Sequence, residues 1–261
     1  MTHMELKSWE DFEKKISNLS ERPQWLQPRL FRGQREASWH LETTLERHLR
    51  ELKATNIDYP VDLYRQKILS VLGQIEAVIG KKVEIADEHR LDDNYSTAPK
   101  SYELMAFLRQ NGHHSPLLDW SRSPYIAAFF AFKKANLKDG QFVAIFEYID
   151  FEGSGKLLGE PDEAKISRCG SYIETDKKHS LQQSDYTVCR KQRNGICFFT
   201  SHEQVLARNI EEQDVLIKYL IPIHEREQVL RKLELMGITS YSLFENSENL
   251  LEPIVLDLRL I

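Results

Sequence analysis

The sequence predicts an α+β fold, and three observations predict it. Helix-period segments dominate the first half of the chain. Strand-like runs gather in the last third. No connecting stretch is long or polar enough to force a division, so residues 1–261 read as one domain. Residues 1–27 form its helical lead-in and residues 150–180 an exposed excursion.

The elements follow in order. Ser8 to Leu19 places Trp9, Phe12, Ile16 and Leu19 on one helical face, with Ser8 as cap. Pro23 and Pro28 bracket a turn-rich entry. Arg29 to Arg32 suits a short strand ending at Gly33. Leu41–Leu52 and Val61–Ile79 carry helical spacing, and Gly80 stops the second. Lys81 to Lys100 is polar and reads as a helix end plus loop. Ser101–Asn111 is a helix closed by Gly112, with Leu104, Phe107 and Leu108 inward. Leu117–Trp120 is a short strand. Ser123 as cap and Pro124 at the first helical position open an apolar helix through Phe132. Strands are expected at Phe142–Ile149, Tyr186–Cys189, Ile196–Thr200 and Val215–Ile221. Thr200–Ser201 before His202–Glu203 reads as a capped helix start, and Glu225–Met236 is a helix stopped by Gly237.

Composition bounds the function. Hydrophobic residues make up 41% and charged residues 29%, enough to pack a core and against global disorder. The net charge of -5 disfavours a purely electrostatic nucleic-acid binder. A local basic groove stays open, because Arg29, Arg32, Arg35, Arg47 and Arg50 fall close together. The three cysteines match no usual zinc spacing and read as reduced thiols. The N-terminus lacks the pattern of a signal peptide and no apolar run reaches a membrane-span length, so a cytoplasmic setting is expected. P-loop, Gly-rich dinucleotide turn, Gly-x-Ser-x-Gly elbow and His-Glu-x-x-His helix are all missing, which argues against the conventional enzymes built on them.

Two segments carry chemistry. In Leu30–Phe31–Arg32–Gly33–Gln34, an arginine at a strand end can lay its guanidinium on a phosphate or ribose, and glycine lets a ligand approach the backbone. The bland alternative is a surface arginine before a turn. In Leu117–Leu118–Asp119–Trp120–Ser121, a carboxylate sits at a strand end, and the amides opening the next helix can bind an anion. Asp119 is equally readable as a strand-to-helix connector. Trp120 could stack on a base or nicotinamide, although pattern alone assigns it to the core. Gln182 and Gln183 can hydrogen-bond ribose hydroxyls, or simply form a polar loop. His113 and His114 are adjacent and point apart, so neither a shared metal nor any other metal site is expected, while general-base work stays open.

These residues resemble the FRG-domain family, named for a Phe/Tyr-Arg-Gly segment matched here by Phe31–Arg32–Gly33. The resemblance continues through Gln34, Ser38, Trp39, Leu41, Leu45 and Arg47, then Ser115–Ser121 with Ser123–Phe132, then Leu181–Ser184 with Tyr186–Cys189. With Ile221–Pro222, Gly237–Thr239 and Ser242–Phe244 it runs from about Leu30 to Leu251. One block departs: where the family often has Gln-His-aromatic-Gly, this chain reads Arg109–Gln110–Asn111–Gly112, then His113 and His114.

The order Arg32, then Asp119–Trp120–Ser121 leading into the Ser123–Pro124 helix, is also similar to ADP-ribosyltransferases. That resemblance implies a split mixed or antiparallel sheet with flanking helices, and NAD as substrate. Its implied NAD contacts are Arg32, Gly33, Gln34, Trp120, Ser121 and Ser123. Arg32, Asp119, Gln182 and Gln183 are the implied catalytic set. In such enzymes a glutamate steadies the ribose as nicotinamide leaves, through an oxocarbenium-like transition state. Here Gln182 and Gln183 hold hydroxyls without charge, and Glu147, Glu174 and Glu203 are the carboxylates open to replace it. The implied partners are NAD, a macromolecular acceptor (protein, RNA or DNA) and an antitoxin, with no membrane. The implied role is a toxin effector in bacterial anti-phage defence or a toxin–antitoxin system. The alternatives are a non-catalytic nucleotide or nucleic-acid sensor and a metal-independent ribonuclease using His113 or His114.

Overall fold

Strands drawn from residue 2 to residue 222 join in one mixed sheet flanked by helices, in the computed structural model of the chain. The structure describes residues 1–17, 19, 28–54, 57–80, 82, 100–136, 138, 140–151, 162–169, 177–208 and 213–244. In chain order the elements are β1 (Thr2–Glu5), α1 (Trp9–Ile16), β2 (Leu30–Gln34), α2 (Thr44–Glu51), β3 (Tyr59–Pro60) and α3 (Val61–Ile79). Next come α4 (Lys100–Gln110), β4 (Leu117–Ser121), α5 (Pro124–Phe132), β5 (Phe142–Phe151), β6 (Lys165–Arg168) and α6 (Lys177–Leu181). The chain continues through β7 (Ser184–Arg193), β8 (Ile196–Phe199), α7 (His202–Leu206), β9 (Gln213–Pro222), α8 (Arg226–Leu235) and α9 (Ser240–Phe244).

Among the described residues the strand order is β1-β9-β5-β2-β4-β7-β8-β3, with β6 on β7. Every ladder is antiparallel except β1 with β9, which makes the sheet mixed. The join between β2 and β4 is unlike the others. β2 pairs with β5 over all five of its residues, and β4 pairs with β7 over all five of its own. Between β2 and β4 the register holds a single pair, Phe31 opposite Ser121. Beyond that pair β2 and β4 share no further register, which leaves a gap in the ladder between the two halves of the sheet.

Local chemistry explains the helices beside the gap. Ser123 turns its hydroxyl back to accept from Ile126 N–H, and Pro124 supplies a preset φ where no donor is needed, so α5 begins there. Ile126, Ala127, Ala128, Phe129, Ala131 and Phe132 are buried, packing α5 under β2 and β5. Thr43 and Glu46 form a reciprocal capping box at the start of α2. α4 buries Leu104, Met105, Ala106 and Leu108 against Leu117, Tyr186 and Val188, which fixes its C-terminal end beside β4.

Three expectations are corrected. β2 does not end at Gly33 but runs on to Gln34, because the ladder with β5 continues. Gly33 is there for a close approach rather than a turn: a Cβ would stand 1.9 Å from the Ala127 carbonyl oxygen and 2.7 Å from the Ala131 nitrogen. Within the expected exposed excursion, Lys165–Arg168 is a strand of the sheet, with Ala164, Ile166 and Cys169 buried. The loop expected before Lys100 lies almost wholly outside the described residues. Among the described residues no helix is long and apolar enough to cross a membrane.

The Gly33 contact is with backbone, which cannot rotate away. Gly33→Ala is expected to lower unfolding stability by about 3 kcal/mol through forced displacement of α5. Urea denaturation measures this, and an unchanged midpoint would show that the seam is slack.

Candidate functional site

The gap between β2 and β4 opens into a cleft of about 900 Å³. Its cationic lining comprises Arg32, Arg35, Arg47, Arg50, Arg109, Lys133, Lys134 and Lys178. Glu42 and Asp119 are the acidic residues on the same wall. Eight cations against two carboxylates make this a strongly positive concavity in a chain of net charge -5. Four of the five arginines grouped in the sequence line it. The fifth, Arg29, instead pairs with buried Glu147 at 2.5 Å.

At the centre stands Asp119. Arg32 reaches across the gap from β2, and its Nη1 donates to Asp119 Oδ1 at 2.6 Å and to the Asp119 carbonyl at 2.7 Å. Arg109, on the last turn of α4, donates to the same Oδ1 from Nη2 at 2.8 Å and from Nε at 3.1 Å. One carboxylate oxygen therefore receives two guanidiniums. Oδ2 makes no hydrogen bond among the described residues, and the side chain is 40% exposed toward the cleft. Burial pushes the Asp119 carboxyl up, but the attraction of Arg109 and then Arg32 outweighs it and holds the group well below the usual carboxylate range.

Arg47 completes the group from α2. Burial, followed by repulsion from Arg32 and Arg109, lowers its pKa. Among the described residues no carboxylate forms an ion pair with it, and its Nε has no partner. Two guanidiniums thus meet on one carboxylate, and a third, Arg47, lines the same cleft. The surplus charge suits an anion with several oxygens, such as a diphosphate.

The expected site residues divide. Arg32, Gly33, Gln34 and Asp119 line the cleft as anticipated, with Gln34 Nε2 donating to the His40 carbonyl at 3.1 Å. Trp120 is 4% exposed; its indole donates to Thr187 at 2.9 Å and its ring stacks on Tyr148, so it is spent on core packing. Ser121 donates to the Gln182 carbonyl at 2.8 Å and accepts from Ser123 N–H, which ties β4 to the loop before β7. Ser123 caps α5 and does not line the cleft, so the anion locus lies on arginines rather than on helix amides. Gln182 reaches the cleft, yet its amide donates to the Leu243 carbonyl at 3.1 Å. Gln183 is exposed, takes a left-handed φ of 47° and lies off the cleft wall.

The candidate glutamates are also placed. Glu147 is buried between Arg29 and Tyr219. Glu203 accepts from Leu41 N–H at 3.2 Å beside His40. Glu174 lies outside the described residues. His113 and His114 are exposed and off the cleft wall, with His114 stacked on His48. Sequence reasoning did not single out Arg109, whose signal was only a basic residue in the last turn of a helix ten positions before Asp119.

Residues 27–140, just under half of the chain, match the family model of the FRG domain. The match spans β2, Arg47, Arg109 and Asp119, but not Gln182 or Gln183. No curated protein and no solved structure matches the chain.

The depressed pKa of Asp119 makes a pH signature. Its stabilisation is complete above the unfolded carboxylate value of about 3.9 and is lost as the pH falls through the lower folded value. Asp119→Asn is expected to lower the melting temperature at pH 7, and the difference from wild type should narrow below pH 4. Thermal melts across pH test this; a gap that stays constant into acid would deny the ionised contact.

Proposed function

We propose that this chain binds NAD in the cleft and breaks its glycosidic bond, passing ADP-ribose to a macromolecular acceptor or to water. The observation that carries the reading is the meeting of Arg32 and Arg109 on Asp119, with Arg47 lining the same cleft. A diphosphate brings the two negative charges that this surplus of guanidinium lacks. The cleft volume of about 900 Å³ suits a dinucleotide. The one-pair ladder between β2 and β4 is compatible with the ADP-ribosyltransferase-like split sheet that the resemblance implies.

In this reading Arg47 and the outer edges of Arg32 and Arg109 hold the diphosphate, while Gly33 and Gln34 form the floor. Exposed Trp39, with Arg35 packed 5.0 Å from its ring, supplies the stacking face that Trp120 does not. Asp119 Oδ2 accepts a hydroxyl of the nicotinamide ribose. The bond between ribose C1′ and the nicotinamide nitrogen breaks with its electron pair going to the ring. Cationic nicotinamide leaves neutral and the ribose gains oxocarbenium character. The acceptor nucleophile bonds to C1′ and releases a proton to solvent. Asp119 contributes a fixed negative charge near that centre; held so far below the usual range, it is no proton acceptor at neutral pH. An enzyme that spends NAD or marks macromolecules fits a toxin effector in bacterial defence, restrained by an antitoxin.

One observation favours a second reading, a nucleotide-sensing module without turnover. The segment where the resemblance implies a glutamate carries Gln182 and Gln183, and the Gln182 amide is already engaged.

Incubation with nicotinamide-labelled NAD and cell lysate separates the two. Release of nicotinamide by wild type is expected. Arg47→Ala should weaken NAD binding by about ten- to a hundredfold in calorimetry, as loss of a charge-assisted contact does, with an unchanged circular dichroism spectrum. Binding without release would select the sensor. NAD binding unaffected by Arg47→Ala would sink both.

A further inference from the structure

We infer that the lysine end of the cleft is a docking platform for single-stranded nucleic acid, which makes a nucleic acid the acceptor. The acceptor role rests on the NAD reading; the binding surface does not.

One end of the cleft differs from the arginine centre. Along α5, Ile126, Phe129 and Phe132 are buried and Tyr125 is half-buried, whereas Phe130 is 37% exposed and lines the cleft. Phe244 of α9 meets it edge-on, with ring centroids 5.9 Å apart. The Lys133 ammonium lies 5.1 Å from the Phe244 ring. Exposed Lys134 and Lys178 complete this wall. Gln182 ties α9 in place by donating to the Leu243 carbonyl, so the aromatic pair stands on a fixed support.

Charge decides the occupant. NAD carries two phosphate charges and one nicotinamide cation, and the central guanidiniums suffice for those. Lys134 and Lys178, beyond them, need further anions. Among the described residues, neither Lys134 nor Lys178 has a carboxylate within ion-pair distance. An acidic peptide would satisfy the charge but would leave Phe130 and Phe244 facing water. A single strand supplies both components, phosphates for the ammonium groups and a base face for the phenyl rings. A duplex keeps its bases stacked inside and cannot use the rings.

The test is fluorescence anisotropy of the full chain with a labelled single-stranded RNA of about twelve nucleotides, within the usual footprint of such grooves. Wild type should bind, with affinity falling as salt rises. The exposed double variant Lys134→Glu/Lys178→Glu should bind at least tenfold more weakly and with a shallower salt slope. Phe130→Ala should lose about ten- to a hundredfold while keeping the slope. Both variants should retain wild-type NAD calorimetry, whereas Arg47→Ala reports on the central site separately. Single-stranded DNA binding as well as RNA would also support the platform. Failure of wild type to bind at low salt, equal binding by the lysine variant, or equal competition by polyglutamate or duplex would overturn it.

Discussion

The carboxylate of Asp119 receives one guanidinium from β2 and another from α4, and the cleft depends on that meeting. β2 and β4 share only the Phe31–Ser121 pair, so backbone pairing does little to join the two halves of the sheet there. Arg32 spans the gap from one half and Arg109 arrives from the helix beside the other. Two guanidiniums on one oxygen keep the group ionised despite burial, and they leave the second oxygen open. With Arg47 added the balance is positive, so the same contact that closes the structure creates an unmet demand for an anion.

Much of the framework was legible because local rules and burial agree. Val61–Ile79 with Gly80 and the Ser123–Pro124 start of α5 are set by caps and periodicity, and the structure keeps both. Strand centres and several starts, such as Leu117, Phe142 and Ile196, were found, and other ends were not. Tyr186–Cys189 grew to Ser184–Arg193 because pairing with β4, β6 and β8 extends a strand beyond its apolar stretch. Lys165–Arg168 was missed for the same reason: four residues with one central isoleucine carry little pattern, and their partner strand supplies the rest.

The site was legible in its poles and not in its circuit. Arg32 and Asp119, 87 positions apart, meet as expected. Their neighbours in sequence were a poor guide to roles, because alternation along β4 sends Trp120 to the opposite face from Asp119, and Ser121 and Ser123 are consumed in joining strand to helix. Arg109, Lys133 and Lys134 just after α5, and Lys178 of α6 come from elements whose approach depends on tertiary packing. The same holds for the cleft's sign: a chain of net charge -5 gathers eight cations on one concave wall, which no average over the sequence reveals.

The most direct measurement is a crystal structure of the protein soaked with ADP-ribose. The account predicts the diphosphate within hydrogen-bonding distance of Arg47 and of at least one of Arg32 and Arg109, with a ribose hydroxyl on Asp119 Oδ2. Ligand density elsewhere on the surface, with the arginine cluster unchanged and bare, would contradict it.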